Sequence, residues 1–186
     1  MFIEVRWHGR GGQGVVTASE LLAGAALAEG KYLQAFPEFG PERMGAPIRA
    51  FTRISDGPIE IHSHVYTPDI VVVLDPSLLD NPAITEGLSD EGKLIANFSG
   101  SPDEVRKITK FMGRIYTVDA TRIAMETIGR PIANTCCVGA MVKMTGLVTL
   151  EQVENQIRQM LGSKIGKKGT DANIEALRRA YNEVRS

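Results

Sequence analysis

A glycine-rich stretch near the N-terminus has the spacing of a phosphate-binding turn. Gly9, Gly11 and Gly14 fit the pattern G-x-G-x-x-G, with Gly12 and Gln13 in the same turn. Glycine suits such a turn because positive φ values cost it little and because no Cβ blocks a ligand or a neighbouring strand. A helix that begins directly after the turn would point unpaired N–H groups towards a phosphate or a carboxylate. The pattern predicts a turn that binds an anion or, alternatively, one that only packs the strand tightly against the helix.

The chain carries few of the residue types that hold metals or redox centres. Cys136 and Cys137 are its only cysteines, whereas an iron–sulfur cluster needs four ligands, most often thiolates. They are adjacent within a predicted helix, so their side chains point about 100° apart and do not converge on one iron. His62 and His64 alternate on a predicted strand, but the only other histidine is His8 and no carboxylate accompanies them. We therefore expect no metal site and no catalytic residue on this chain.

Length, composition and charge exclude several classes of protein. A chain of 186 residues with 43% apolar content predicts one domain, residues 1–186, with a substantial core. The net charge of −1 provides no overall attraction to nucleic acid or to an anionic membrane. No apolar run approaches the roughly 20 residues of a membrane span. Adjacent cysteines rarely form a disulfide with each other, so we expect a reducing, cytoplasmic location.

Strands alternate with helices along the first two thirds of the chain. Residues 2–7 have the alternating pattern of a strand, and residues 15–23 repeat apolar side chains at helical spacing. Apolar and mostly β-branched runs at residues 70–74, 93–96 and 114–118 are typical of parallel strands that are covered on both faces. The pattern predicts an α/β, Rossmann-like fold, with a mainly parallel sheet, helices on both faces and a helical C-terminal region.

One antiparallel hairpin is expected to interrupt the parallel order. Residues 48–54 and 59–65 alternate polar and apolar side chains on either side of the turn sequence Asp56-Gly57-Pro58. His62 and His64 fall in the second of these predicted strands and would face the same side of the sheet.

The last third of the chain is predicted to be helical. The expected helices are residues 120–128, 134–144, 149–162 and about 173–184. Between the last two, residues 164–169 form a basic, glycine-rich loop, and Thr170 or Asp171 would cap the helix that follows. The lysines of this loop form a solvated surface or, alternatively, a docking surface for an acidic partner or a phosphate group.

Polar residues follow several of the predicted strands. In a doubly wound sheet the ligand lies outside the carboxyl ends of the strands, so Gly11, Asp75, Asn97 and Asp119 should gather along one edge. Each of the three polar side chains could instead cap the helix that follows it. A Rossmann nucleotide site also needs an acidic residue about 20 residues beyond the glycines to bind a ribose. This chain has Gln34 near that position, which counts against NAD.

A proline-rich stretch, residues 37–47, is the least regular part of the sequence. Its prolines and glycines oppose regular secondary structure. It is either a solvated connector or a stiff loop that presents Glu42, Arg43 and Met44 to a partner or cofactor. A stiff loop suits an interface because it loses little entropy on binding.

Together these motifs make the chain resemble the gamma subunit of the 2-oxoacid:ferredoxin oxidoreductases, most closely that of the pyruvate enzymes. The combination of a glycine-rich run with a Glu-Arg-x-Gly loop is more specific than either motif alone. The matching segments extend over nearly the whole chain and are residues 9–15, residues 39–45, Pro68-Asp69-Ile70, Asn97, Asn134 with Gly139 and Ala140, and Asn173.

The resemblance implies an oxidative decarboxylation in which pyruvate, coenzyme A and oxidised ferredoxin give acetyl-CoA, carbon dioxide and reduced ferredoxin. It implies that thiamine diphosphate, Mg²⁺ and [4Fe–4S] clusters are held by partner subunits, called alpha, beta and delta, and that ferredoxin accepts the electrons. This chain would then provide architecture, without activity of its own, and part of the coenzyme A site. The residues expected at that site are Gly9, Gly11, Gly12, Gln13, Gly14 and Asn97.

Three alternatives remain open beside the pyruvate enzyme. The first is a gamma subunit for another 2-oxoacid, namely 2-oxoisovalerate, 2-oxoglutarate or indolepyruvate. The second is an independent NAD(P)-dependent reductase, and the third is a regulatory nucleotide-binding module.

Overall fold

One mixed sheet of six strands organises residues 1–38 and 44–186, which are the residues that the computed structural model describes. The strands are β1 (Phe2–Arg10), β2 (Tyr32–Pro37), β3 (Pro47–Ser55), β4 (Ile70–Val73), β5 (Lys93–Asn97) and β6 (Arg114–Val118). The helices are α1 (Val15–Ala28), α2 (Pro102–Thr109), α3 (Ala120–Thr127), α4 (Asn134–Thr145) and α5 (Leu150–Glu183). The strand order across the sheet is β2-β3-β1-β4-β5-β6.

Four of the strands run parallel, as their apolar runs predict. β4 pairs with β1 on one side and with β5 on the other, and β5 pairs with β6. All four residues of β4 are buried because both faces of the sheet are covered. β3 differs, since it is antiparallel to both β1 and β2. The predicted Rossmann-like fold, with a mainly parallel sheet and an antiparallel part, is confirmed.

Two apolar cores fill the two faces of the sheet. On one face, α1, α3, α4 and α5 pack against the strands around Trp7, Leu21 and Met141. On the other face, α2 and the connection from β4 to β5 cover a smaller core that includes Leu79 and Leu94. Helices therefore lie on both faces, and the larger core fixes all of the helices that border the site.

The predicted position of the hairpin is wrong. β3 forms its hairpin with β2, which precedes it, and its other edge pairs with β1. Both edges of β3 are thus occupied, so residues 59–65 cannot pair with β3, and they form no strand. Instead, the buried guanidinium of Arg53 donates hydrogen bonds to backbone carbonyls of this segment. His62 and His64 therefore lie outside any strand.

The long helix α5 is folded back on itself at Gly166. That residue has φ 69° and ψ 176°, which is not helical. The Nε of Arg178 donates to the carboxylate of Glu154 at 2.6 Å, although the two residues are 24 apart in sequence. A straight helix would separate them by about 36 Å. Residues 150–165 and 167–183 therefore form two adjacent limbs, and we call residues 162–169 the hairpin tip.

The break in α5 is much shorter than the sequence predicts. The expected loop over residues 164–169 is wrong, because only Gly166 departs from helical geometry. The predicted cap by Thr170 or Asp171 is also wrong, since Thr170 lies within the second limb and its hydroxyl donates to the carbonyl of Gly166 at 2.8 Å.

Within residues 1–38 and 44–186, no helix is both long and apolar enough to cross a membrane.

The conformation of Gly166 generates a first prediction. Its φ and ψ lie in a region that is almost exclusive to glycine, so we expect Gly166→Ala to lower the free energy of unfolding by about 1–3 kcal/mol. Gly162→Ala is the matched control, because the nearest atom to a new Cβ there is 3.9 Å away. Alanine at that helical position should be neutral or stabilising. Urea denaturation of both variants measures the difference, and equal stabilities would contradict the folded-back geometry.

Candidate functional site

The glycine turn joins the end of β1 to the start of α1. Gly12 and Gly14 have positive φ values of 92° and 76°, which glycine adopts without strain. Gly9 lies within β1, and a Cβ there would be 2.5 Å from Cγ2 of Val15. The structure thus supports the packing alternative for Gly9, because any side chain would push α1 away from the strand.

The polar groups of two predicted binding residues are already hydrogen-bonded to other parts of the protein. The N–H of Gly11 donates to the carbonyl of Ala46 at 2.9 Å, and its carbonyl accepts from the N–H of Gly45 at 3.1 Å. The Nε2 of Gln13 donates to the carboxylate of Asp75 at 2.7 Å, and its Oε1 accepts a backbone N–H of the turn. Gly11 and Gln13 therefore hold the turn in place.

Asp75 anchors the glycine turn to the end of β4. Its carboxylate accepts from the N–H of Ser77 and from Gln13, and it forms an ion pair with Arg10, whose Nε is 3.2 Å away. Burial alone would raise the pKa of Asp75, but the hydrogen bonds from Ser77 and Gln13, together with the charge of Arg10, hold that pKa below its usual value. Asp75 is thus a carboxylate that is fully engaged within the protein.

Asn97 has a comparable structural role at the end of β5. Its Nδ2 donates to the carbonyl of Leu74 and to the hydroxyl of Thr121, both at 2.8 Å. Its Oδ1 accepts the N–H of Thr121 at 3.2 Å, so the side chain ties β4, β5 and the start of α3 together. Asp119 caps α3 by accepting the N–H of Arg122. The cap alternative is therefore the observed role of Asp119.

Of the four residues predicted to gather along the carboxyl edge of the sheet, Asp75 and Asn97 line a common cavity, whereas Gly11 and Asp119 do not line it. Gln13, Asp75 and Asn97 line one cavity of about 250 Å³. Its other lining residues are Leu74, Pro76, Thr121, Pro131 and Ala133. Because the three polar side chains already bind one another or their neighbours, this cavity offers a ligand few free partners.

A larger cleft opens on the other side of the glycine turn. It has a volume of about 580 Å³ and lies between the start of α1, the connection from α3 to α4, and α5. We call it the main cleft. Its lining residues are Gly12, Gly14, Thr17, Ile128, Arg130, Ile132, Asn134, Leu161, Ile165, Gly169 and Asn173.

The main cleft has a positive character. Gly14 provides no side-chain cap to α1, so in the described residues the N–H groups at the start of that helix have no acceptor. Arg130 is exposed in the cleft and forms no ion pair with the described part of the chain. Lys164, Lys167 and Lys168 are exposed on the hairpin tip and likewise form no ion pair with the described residues, although they do not line the cleft. These groups together favour an anionic ligand.

The loop that was predicted to contact a partner is described only in part. Glu42 and Arg43 lie outside the described residues. Met44 is 89% exposed, and its sulfur would be 2.8 Å from a Cβ on Gly12. Met44 therefore presents an apolar side chain to solvent directly beside the glycine turn.

The geometry opposes a Rossmann nucleotide site. β3 lies between β1 and β2, so the end of β2 is not adjacent to the glycine turn. Gln34, near the expected ribose position, is hydrogen-bonded to Arg53 and to the carbonyl of Ile59.

Among residues 1–38 and 44–186 there is no group of three His, Cys, Asp or Glu side chains placed to hold a metal.

Two cleft residues were not predicted to have a role at the site. Asn134 begins α4 and Asn173 lies on the second limb of α5, and both are buried while lining the main cleft. A Cβ on Gly14 would be 2.4 Å from Nδ2 of Asn134, so the turn and α4 are in close contact. The sequence signal was their place among the segments that carry the family resemblance, but their convergence depends on tertiary packing.

The fold and the cleft define a Rossmann-like α/β chain whose glycine turn faces an anion-attracting cleft. The chain matches the family model "Pyruvate ferredoxin/flavodoxin oxidoreductase" over residues 4–183, and it belongs to that family. The predicted resemblance is thus confirmed.

Similar proteins cover nearly the whole chain. Pyruvate synthase subunit PorC of Thermotoga maritima is 53% identical over 184 residues, 99% of this chain and 95% of that protein. The pyruvate/ketoisovalerate oxidoreductases common subunit gamma of Thermococcus kodakarensis is 53% identical over 183 residues, 98% of this chain and 97% of that protein. The crystal structure of pyruvate oxidoreductase subunit PORC from Thermotoga maritima matches with a TM-score of 0.89 and 50% identity, covering 99% of this chain and 97% of that one.

A buried pair on the other face of the sheet generates a second prediction. Arg6 Nε donates to Nε2 of His8 at 2.9 Å, and burial followed by the charge of Arg6 lowers the pKa of His8 from 6.5 to about 3. The folded protein therefore holds His8 neutral, and this contribution to stability is present above pH 6.5 and is lost as the pH falls towards 3. As the pH is lowered, we expect the free energy of unfolding to fall less steeply in His8→Gln than in the wild type. The two slopes should differ by at most about 1.4 kcal/mol per pH unit.

Urea denaturation between pH 7 and pH 4 measures that slope in the wild type and in His8→Gln. Glutamine keeps an acceptor for Arg6 but does not titrate, so the carboxylates contribute equally to both curves. Parallel curves would contradict a neutral, buried His8.

Proposed function

We propose that this chain is the gamma subunit of pyruvate:ferredoxin oxidoreductase, also called pyruvate synthase. The complex converts pyruvate, coenzyme A and oxidised ferredoxin to acetyl-CoA, carbon dioxide and reduced ferredoxin. The observation that carries the proposal is the 53% identity with pyruvate synthase subunit PorC over 99% of this chain. Alpha, beta and delta subunits would complete the complex, with residues 1–186 as one domain of it.

A second 2-oxoacid is also favoured by a specific observation. An equally similar relative is named as a subunit common to pyruvate and ketoisovalerate oxidoreductases. In that arrangement one gamma chain serves two complexes, and the residues that select the 2-oxoacid lie on the other subunits. We therefore propose that 2-oxoisovalerate is the second substrate to test.

The redox and decarboxylation chemistry is assigned to the partner subunits. The only thiols of this chain, Cys136 and Cys137, are both buried in α4. Burial raises the pKa of Cys136 to about 12 and that of Cys137 well above its usual value, so neither thiol is available as a thiolate ligand. We propose that the [4Fe–4S] clusters, thiamine diphosphate and Mg²⁺ are bound by those subunits, and that ferredoxin receives the electrons there.

We assign coenzyme A to the main cleft. Coenzyme A carries phosphate groups, and the start of α1 provides N–H donors at the positive end of a helix. Arg130 adds a guanidinium, which suits phosphate well. The volume of about 580 Å³ can hold part of such a ligand. In this proposal Gly12 and Gly14 border the anion, whereas Gly9, Gly11 and Gln13 shape the turn and Asn97 ties the neighbouring strand ends together.

The exposed loop beside the cleft is proposed as the contact with a partner subunit. Met44 is apolar and almost fully exposed, which is typical of an interface residue that is buried on assembly. Glu42 and Arg43 are assigned to the same contact from their place in the sequence motif. The free thiols Cys136 and Cys137 support a reducing, cytoplasmic location.

Arg130 provides the third prediction. In the assembled complex, we expect Arg130→Gln to raise the KM for coenzyme A roughly tenfold, the equivalent of about 1.4 kcal/mol, because a charged partner of the phosphate is lost. Arg114→Gln is the matched control, since Arg114 is also exposed and forms no ion pair with the described residues, but lies at the opposite edge of the sheet. Steady-state kinetics with varied coenzyme A gives both values.

Three outcomes of this experiment are distinct. A raised KM in Arg130→Gln alone supports the coenzyme A assignment. An unchanged KM in a correctly assembled complex favours packing as the sole role of the glycine turn. Loss of assembly in Arg130→Gln, with the wild-type KM in whatever complex remains, means that a carboxylate of a partner subunit occupies the cleft.

The division of labour among subunits gives the fourth prediction. The isolated chain should be colourless and should not reduce viologen with pyruvate, coenzyme A, thiamine diphosphate and Mg²⁺, because it has only two cysteines and both are buried. An absorption spectrum and a viologen assay on the purified chain test this. A brown, active chain would contradict the subunit assignment.

A separate experiment identifies the substrate. The complex is purified by a tag on this chain and is assayed with pyruvate and with 2-oxoisovalerate.

A further inference from the structure

Three buried polar side chains lie next to one another at the main cleft, and two of them line it. Asn134 and Thr135 are the first two residues of α4, and Asn173 lies on the second limb of α5. Their exposed fractions are 6%, 0% and 9%. They lie beside the largest apolar core of the protein, where polar side chains are expected only if they are hydrogen-bonded.

These side chains form a continuous chain of hydrogen bonds between two walls of the cleft. Nδ2 of Asn134 donates to the carbonyl of Gly14 at 3.4 Å, and Oδ1 of Asn134 accepts the N–H of Thr135 at 2.8 Å. The hydroxyl of Thr135 donates to Oδ1 of Asn173 at 3.0 Å. Nδ2 of Asn173 then donates to the carbonyl of Gly169 at 2.9 Å. We call Asn134, Thr135 and Asn173 the polar bridge.

The two ends of the polar bridge lie on different walls of the cleft. Gly14 is the residue from which α1 begins, and Gly169 belongs to the hairpin tip; both line the cleft. Apolar packing is non-directional, so it would not by itself fix the distance between these walls. Hydrogen bonds with defined geometry do fix it.

The hairpin tip needs such a connection. It contains Gly162, Gly166 and Gly169, and Gly166 interrupts the helix. Glycine leaves the backbone many alternatives, so the tip is less constrained than an ordinary helix end. The tip also carries Lys164, Lys167 and Lys168, which are exposed but are not among the residues that line the cleft, and any freedom of the tip would move their charges relative to the start of α1.

We propose that Thr135 is a positioning residue for the anion site, acting through the polar bridge. It lies at the centre of the bridge, is fully buried, and is not among the residues that line the cleft. Through Asn173 it holds the hairpin tip at a fixed distance from the start of α1, so the ligand meets donors that are already in place. Preorganisation of this kind raises affinity because less conformational entropy is lost on binding. The inference rests on the proposed coenzyme A site.

The test uses three variants in the assembled complex. Thr135→Val removes the hydroxyl but keeps the shape of the side chain, and Thr135→Ser keeps the hydroxyl. Thr145→Val is the matched control, because this hydroxyl is on the same helix but donates to the carbonyl of Met141, away from the main cleft. Each complex is assayed for the KM for coenzyme A and for kcat, and hydrogen exchange of residues 162–169 is measured without coenzyme A.

We expect Thr135→Val to raise the KM for coenzyme A about fivefold, to leave kcat within about twofold, and to speed hydrogen exchange of the hairpin tip. Thr135→Ser and Thr145→Val should behave like the wild type in all three measurements. If Thr135→Val does not assemble, Asn173→Leu removes the hydrogen bond from Thr135 together with the one to the carbonyl of Gly169, and it should also raise the KM for coenzyme A and speed hydrogen exchange of the hairpin tip.

Several results would overturn the proposal. Equal effects of Thr135→Val and Thr135→Ser would show that packing, and not the hydroxyl, matters. An unchanged KM in Thr135→Val, with a raised KM in Arg130→Gln, would reject the positioning role but retain the coenzyme A site. An unchanged KM in both would reject the coenzyme A site and this proposal with it.

Discussion

The lack of side chains at Gly9 and Gly14 is the constraint on which the arrangement of the cleft depends. A Cβ on Gly9 would lie 2.5 Å from Val15, and a Cβ on Gly14 would lie 2.4 Å from the amide of Asn134. The first close approach seats α1 directly on β1, and the second brings the start of α4 against the start of α1. This packing places the starts of α1 and α4 at one cleft, and α5 forms the far wall of that cleft. The glycines therefore determine the site mainly by where they allow helices to lie.

The sequence predicted the parallel part of the fold well because buried parallel strands leave a local signature. The β-branched run of β4 is buried on both faces, as its composition indicates. The antiparallel part was placed wrongly because strand pairing is non-local: residues 59–65 alternate like a strand, but β3 had already paired along both edges. Arg53, fully buried under that segment, gave no local signal of its role. The position of the helix break at Gly166 could not be predicted either, because several glycines lie in this region and any of them could have ended a helix.

The site was predictable in its location but not in its hydrogen bonds. Gln13 and Asn97 do lie at the carboxyl edge of the sheet, yet their side chains bind other parts of the protein. Sequence spacing can place a side chain at an edge, but it cannot show which partner lies within 3 Å. Asn134, Thr135 and Asn173 illustrate the same limit, because Thr135 and Asn173 are 38 residues apart in sequence and meet only when α4 packs on α5.

We propose that the main cleft, and not the smaller cavity at Asp75 and Asn97, receives the anionic end of coenzyme A. Hydrogen exchange across this chain in the assembled complex, with and without saturating coenzyme A, distinguishes the two sites. We expect protection at residues 12–17 and 165–173, and no change around Asp75 and Asn97. Protection around Asp75 and Asn97 with none at the main cleft, or no protection anywhere in this chain, would contradict it.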